Sequence, residues 1–418
     1  MRRIAHLRWW IVGLICAGTI ANYLARNSLG VLAPELTKVM RMTTEQYSYV
    51  VAGFQLAYTV MQPVAGMIVD RIGLRAGFAL FGAAWSVANM LHAFAAGWLG
   101  LMFFRGLLGA FESAAIPSGI KAIAEWFPAR ERSVAVGWFN AGTSLGALLA
   151  PPVVAIVMLY TDWRMAFVVT GAVGLLWSFA WWTFYRSPGD HPAITDKERA
   201  LIAEGRPKPL ARRATAREIL ATRRFWVIAV PRFLAEPAWQ TFSFWIPIYL
   251  AKERGMDIKQ IALFAWLPFL AADLGGVLSG YFSPFLAKHF RLPLITSRVT
   301  GVALAAVLMI APGCIGLVTS PYMAIVLFCV GGFAHQVISV LINTLSADVF
   351  TAEEVGVANG FVGQAGWTGG LLFSLLIGRL ADTIGYAPLF SMLSVFDILG
   401  AIVLIAGLRH LRLPEPVK

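Results

Sequence analysis

Seven ionisable side chains lie in stretches that are otherwise apolar: Arg26, Arg105, Glu112, Arg232, Glu236, Asp273 and His335. Charges in such surroundings are costly, so they are expected to face an interior and to mark an ion or substrate path. Arg26 offers a planar guanidinium that can grip a carboxylate through two hydrogen bonds, or pair with a nearby acid such as Glu112. Glu112 is the natural proton carrier. Burial favours its neutral form and a neighbouring arginine its anion, so its protonation responds to what its neighbours bind. Arg105 precedes Glu112 by seven residues, about two helical turns, so the two share a face and a static pair is the alternative. Arg232 and Glu236 stand at i and i+4 and are expected mainly to pair with each other. Asp273 is either a structural acid or a second proton site.

The elements that must hold these groups are membrane helices. The chain is 58% hydrophobic and 13% charged, with a mean hydropathy of +0.71, outside the soluble range. Twelve apolar blocks, at 9–33, 47–69, 76–95, 99–124, 133–159, 165–185, 225–250, 260–285, 295–317, 322–345, 355–377 and 386–408, approach or exceed the ~18 residues a spanning helix needs. One long polar segment, 187–224, divides them six and six. The expected organisation is an N-terminal bundle over 1–186, a cytoplasmic linker over 187–224 and a C-terminal bundle over 225–418. "MRRIAHLRWW" resembles the basic end of a leader, but the apolar run after it is too long, so it is expected to open the first span.

The net charge of +12 would suit nucleic acid, yet topology absorbs it. With a cytoplasmic N-terminus, most Lys and Arg fall in or beside cytoplasmic segments. That asymmetry places both termini and the linker inside. Cys16, Cys314 and Cys329 share no metal or disulfide spacing and are expected to be small buried hydrophobes.

The two halves repeat. An offset of 223 carries Gly109, Phe127, Glu131, Gly137 and Gly146 onto Gly332, Phe350, Glu354, Gly360 and Gly369. An offset of 214 carries Met42, Gln46, Ala57 and Gly66 onto Met256, Gln260, Ala271 and Gly280. A parallel duplication of six-helix halves is a carrier pattern. Under it, Glu112 falls on His335, so each half places an ionisable group at one structural position.

The turn "GMIVDRIGLR" puts Asp70, Arg71 and Arg75 where lipid ends, with Gly66 expected to allow a close helix approach and Gly73 the tight turn. Together with "GTSLGALLAPP", this pattern resembles the Major Facilitator Superfamily. There the charged turn latches the cytoplasmic side, which implies gating roles for Gly66, Asp70, Arg71 and Arg75. "NYLARN", "YTVMQPVAG", "RGLLGAFESAAIPSGIKAIAEWFPARERSVAVGWFNAGTSLGALLAPP", "PRFLAEPAWQTFSFWIP", "GGFAHQ" and "LSADVF" resemble the anion:cation symporter branch, and within it bacterial hexuronate transporters. The implied fold is an all-α membrane protein of twelve transmembrane helices in two pseudo-symmetric six-helix bundles.

The resemblance implies a carrier that imports glucuronate or galacturonate with protons across the inner membrane by alternating access. Arg26 then takes the carboxylate, with Tyr23 and Tyr58 lining the cavity, and Glu112 couples the proton with Arg105 beside it. Trp239 offers an aromatic face to sugar C–H patches, while His335, Gln336, Gln364, Trp367 and Asn140 complete a polar ring. Pro231 and Pro237 are expected to break the seventh span around Arg232 and Glu236. One departure stands out: many members of the branch carry an acid just before the helix 1 arginine, and here that residue is Ala25. The alternative is therefore a symporter or exchanger for another sugar acid or organic anion, of galactonate or glucarate type. No H-E-x-x-H or G-x-S-x-G motif supports an enzyme, and the linker is too short for a sensor's output domain. Expected partners are a sugar-acid anion, protons and the lipid bilayer, with no cofactor, metal or nucleic acid, and a monomer is expected.

Overall fold

A computed structural model of the chain describes residues 3–204, 215–350 and 354–409. The parts of the expected segments at 1–2, 205–214, 351–353 and 410–418 lie outside the described residues. The chain divides into two compact units, Met1–Pro209 and Leu210–Lys418. Among the described residues all regular structure is helical. The first unit holds α1 (Leu7–Val39), α2 (Thr44–Ile72), α3 (Leu74–Leu91), α4 (Trp98–Glu112), α5 (Ala115–Trp126), α6 (Ala129–Tyr160), α7 (Trp163–Phe184) and α8 (Asp196–Glu204). The second holds α9 (Ala216–Leu220), α10 (Arg223–Phe244), α11 (Ile246–Lys252), α12 (Ile258–Phe264), α13 (Leu267–His289), α14 (Leu294–Leu308), α15 (Ile310–Gly313), α16 (Pro321–Val349), α17 (Val355–Ile384) and α18 (Tyr386–Arg409).

Ten helices among the described residues are long and apolar enough to cross a membrane. Neither α2 nor α10 is in that set. Gln55, Tyr58 and Gln62 dilute the first; Pro231, Arg232, Glu236, Pro237 and Gln240 dilute the second. Burial is inverted relative to a soluble protein. Leu176, Phe103 and Trp10 are 72%, 60% and 70% exposed, whereas Arg105, Glu112 and Gln55 are fully buried. Apolar residues outside and polar ones inside suit a hydrocarbon surround.

Local chemistry sets the helix ends. Thr43 and Gln46 form a reciprocal capping box at the start of α2, and Asp257 and Gln260 form the same box at α12. The two boxes stand 214 residues apart, the offset seen in the sequence. Each satisfies helix-end N–H groups that would otherwise lack partners. The block expected at 99–124 is two helices, with Ser113 and Ala114 between α4 and α5. Pro117 explains the break: it has no N–H to offer Ser113, and its ring crowds that carbonyl.

Two expectations are corrected here. Pro231 and Pro237 do not break the seventh span; both lie inside a continuous α10, and the interruption comes at Trp245, ahead of Pro247. The cysteines are half-buried rather than buried. The first half of the segment expected as linker also makes specific contacts with α1. Glu198 of α8 accepts hydrogen bonds from Leu7 N (3.0 Å), Arg8 N (3.1 Å) and the Arg8 guanidinium (2.8 Å). It thereby caps the N-terminus of α1, where a negative charge is favoured. Arg8 also pairs with Glu131 on α6 at 2.9 Å. The repeat partner of Glu131, Glu354, pairs with Arg224 at the start of α10 at 2.5 Å. The same brace thus recurs in each unit.

Candidate functional site

In the first unit the buried charges of α1 and α4 meet beside aromatic rings of α1 and α2. Arg26 projects from α1 and donates Nε to Glu112 Oε2 at 2.8 Å. Its Nη2 donates to Asn22 Oδ1, one turn earlier, at 3.2 Å. Three rings surround the guanidinium carbon, with centroids at 4.5 Å for Tyr23, 5.2 Å for Phe54 and 5.0 Å for Tyr58. Arg105 donates to the Arg26 carbonyl oxygen at 3.1 Å, and its own guanidinium lies 4.8 Å from the Phe54 ring centre. Phe54 therefore offers its ring to two cations. Arg26 is 5% exposed, and Arg105 and Glu112 are fully buried. Glu112 Oε1 has no hydrogen-bond partner among the described residues.

The close helix approach that permits this comes from Gly109. A Cβ there would strike the Phe54 carbonyl oxygen on α2. Its repeat partner Gly332 approaches the Pro268 carbonyl oxygen on α13 in the same way. Phe54 and Pro268 are 214 residues apart, so one scaffold contact occurs twice.

The second unit fills the equivalent position differently. Gly146 of α6 packs against the backbone of Ile20, and its repeat partner Gly369 of α17 packs against that of Phe233. This registers α1 on α10 with an offset of 213, which carries Arg26 onto Trp239. Glu112 falls on His335. Trp239 and His335 stack with centroids 5.7 Å apart and planes at 17°. Phe269 meets Trp239 edge-on at 5.6 Å. His335 is 2% exposed, and its Nδ1 has no hydrogen-bond partner among the described residues. Arg232 pairs with Glu236 at 2.7 Å, as their spacing suggested, and also donates to Ser339 Oγ on α16 at 2.6 Å. Gln240 donates to Glu236 at 3.2 Å. Gln336, Gln364 and Trp367 are half-buried on α16 and α17, as is Asp273 on α13, and Asn140 is exposed on α6.

At the end of α2 the charged turn is engaged. Asp70 pairs with Lys121 of α5 at 2.5 Å. Arg75 donates to the Trp182 carbonyl at 3.0 Å and lies 4.5 Å from that ring's centre. Arg71 is exposed. Gly73 has φ 84°, a left-handed value that favours glycine. The close approach expected at Gly66 is not present: a Cβ there would meet nothing within 4 Å.

Sequence reasoning missed Asn22, Phe54, Gln55, Lys121 and Asp397. Phe54 and Tyr58 form an i, i+4 aromatic pair on one helix face, a signal that could have found Phe54. Gln55 is fully buried with neither end of its amide bonded among the described residues, and Asp397 on α18 is 3% exposed with neither carboxylate oxygen bonded. A polar residue inside an apolar block was the available signal for both.

Buried charges held inside apolar helical bundles, in a duplicated chain, define a multi-pass membrane transporter rather than an enzyme. The chain belongs to the Major Facilitator Superfamily, whose family model matches residues 15–312. It is 49% identical over 414 residues to the hexuronate transporter of Escherichia coli (strain K12), covering 98% of this chain and 96% of that one. It is 47% identical over 329 residues to the galacturonate transporter of Dickeya chrysanthemi, covering 78% of this chain and 95% of that one. A crystal structure of a bacterial homologue of the human lysosomal transporter Spinster, inward-facing and occupied, matches with a TM-score of 0.76 at 17% identity. That match covers 98% of this chain and 99% of the other and shows the shared fold.

Proposed function

We propose that this protein is a proton-coupled symporter that imports hexuronates, glucuronate or galacturonate, by alternating access. It would span the bacterial inner membrane twelve times, α2 and α10 included, with both termini and the linker cytoplasmic. The observation that carries this reading is the cluster around Arg26. Two buried guanidiniums, Arg26 and Arg105, accompany one buried carboxylate, Glu112, which pairs with Arg26, leaving one formal positive charge in excess. Such a site suits a monoanion, and two relatives of high identity are named for hexuronate and galacturonate transport.

In this mechanism the substrate carboxylate takes the place of Glu112 on Arg26. Glu112, deprived of its cation, accepts a proton, so anion and proton load together. Tyr23 and Tyr58 pack on the sugar and hydrogen-bond its hydroxyls. Arg105 holds the backbone of α1 and remains as the standing cation. Trp239 and His335 supply an apolar face and a ring nitrogen, and Gln336, Gln364, Trp367 and Asn140 reach the remaining hydroxyls. Gly66, Asp70, Arg71 and Arg75 form the cytoplasmic latch, with the Asp70–Lys121 pair and the Arg75 contacts as bonds made and broken. The protein would act as a monomer.

A second reading is a symporter or exchanger for another sugar acid or organic anion, of galactonate or glucarate type. It rests on Ala25, which leaves no carboxylate directly before Arg26. Labelled glucuronate uptake into proteoliposomes, with and without an inward proton gradient, separates the two. Gradient-driven accumulation that disappears in Glu112→Gln while exchange persists supports hexuronate–proton symport. No uptake of any hexuronate overturns the substrate. Accumulation that survives in Glu112→Gln sends the proton to Asp273 or His335.

A further inference from the structure

We propose that Asn22 is a second ligand of the substrate carboxylate, acting beside Arg26. The inference rests on the carboxylate reading of Arg26 and adds to it a residue that the sequence does not single out. Asn22 lies one turn before Arg26 on α1 and is 1% exposed. Its amide faces Arg26 Nη2 at 3.2 Å. A guanidinium has only donors, so the facing atom must be the amide oxygen, which turns the NH2 group away. That Nδ2 is buried and has no hydrogen-bond partner among the described residues. Buried polar hydrogens are normally bonded, and an exception calls for an explanation.

The surroundings supply one. Asn22 holds one edge of the guanidinium through Nη2, and Glu112 holds another through Nε at 2.8 Å. A carboxylate arriving at Arg26 brings two oxygens. One can sit on the guanidinium in place of Glu112, and the other can accept from Asn22 Nδ2. The amide is neutral, so it adds a donor without adding charge, and the local excess stays matched to a monoanion. Its oxygen meanwhile fixes the guanidinium plane, so the fork is oriented before substrate arrives.

Substitution separates donation from orientation. Asn22→Asp keeps an oxygen for Arg26 Nη2 but removes the donor and turns a negative charge toward the substrate. Asn22→Ala removes both. The measurement is glucuronate exchange in proteoliposomes of the full chain, as KM and kcat, with the thermal unfolding midpoint of each purified variant and Arg26→Ala in parallel. The expected result is a KM raised about tenfold in Asn22→Ala and more in Asn22→Asp, the scale of one lost hydrogen bond to a charge. The kcat should stay within about twofold and the unfolding midpoint of Asn22→Asp should not fall. A wild-type KM in Asn22→Asp would show that the oxygen alone matters and overturns the proposal. So does a fall in midpoint with KM unmoved in both variants, which marks a packing role. If Arg26→Ala keeps its KM, the carboxylate reading itself fails and Asn22 with it; if Arg26→Ala loses affinity while both Asn22 variants keep theirs, only Asn22 fails.

Discussion

At repeat-related positions the first unit sets an ion pair, Arg26 on Glu112 at 2.8 Å, and the second an aromatic stack, Trp239 on His335 at 5.7 Å. The framework beneath them is the same. Gly109 and Gly332 make the same close approach to neighbouring backbone, the capping boxes at Thr43 and Asp257 coincide, and Glu131 and Glu354 each brace an arginine at a helix start. Duplication therefore preserved the backbone contacts and let the central side chains diverge. In the proposed mechanism the charged half takes the carboxylate and the proton, and the aromatic half packs on the rest of the sugar. Among the described residues the first unit's cluster carries one positive charge in excess, whereas in the second Arg232 is matched by Glu236 beside the stack; in the proposed mechanism this divides the labour between the units.

Substitutions can break that division, and their expected effects fall in order. Arg26→Ala should lower hexuronate transport efficiency by at least about 100-fold, because it leaves Glu112 buried without its cation and removes the carboxylate's partner. Transport rates against substrate concentration check this, and a loss under tenfold would count against the charged half. Glu112→Gln should abolish gradient-driven accumulation while exchange continues, since the amide cannot carry the proton. Trp239→Ala should raise KM about tenfold with proton coupling intact, the scale of one lost aromatic contact. If accumulation against the gradient also fails in that variant, the halves are not separable.

Smaller effects sharpen the shared framework. Gly109→Ala and Gly332→Ala should each destabilise the protein by about 1–3 kcal/mol, because the added methyl has only backbone to push against. Equal falls in thermal midpoint for the two would support the duplicated contact, and unequal falls would show that the units tolerate it differently. Thr43→Ala and Asp257→Ala should each cost about 1 kcal/mol through loss of a capping side chain. Denaturation of the purified variants reads both pairs.

Much of this was legible in the sequence because membrane solvation leaves strong marks. Apolar blocks and buried charges follow from the cost of polar groups in hydrocarbon, and repeat offsets follow from conserved turns and close glycines. Arg26, Glu112 and His335 could be singled out on those grounds, and Trp239 only as an aromatic face suited to a sugar. What each bonds to could not. Whether Glu112 serves Arg26 or Arg105 depends on how α1 and α4 are rotated against each other, and the residues that fix this, Gly109 and Phe54, look like ordinary packing in one dimension. The prolines of α10 misled for a related reason. A proline inside a helix removes one hydrogen bond but breaks the helix only where neighbours do not hold it. Asn22 was hidden because a short amide one turn from an arginine resembles any interior polar residue until its unbonded hydrogens are seen. The docking of α8 through Glu198 was invisible because two of its three donors are backbone N–H groups at the start of α1, and the third, the Arg8 side chain, lies 190 residues away in sequence.

The division of labour is tested most directly by counting protons when substrate binds. Glucuronate would be added to the purified protein in weakly buffered detergent solution with a pH indicator, comparing the wild type, Glu112→Gln and His335→Gln. The wild type and His335→Gln should take up about one proton per substrate bound, in keeping with a single coupled acid, and Glu112→Gln should bind substrate without proton uptake. Uptake that persists in Glu112→Gln, or vanishes in His335→Gln, would place the proton in the aromatic half and contradict the account.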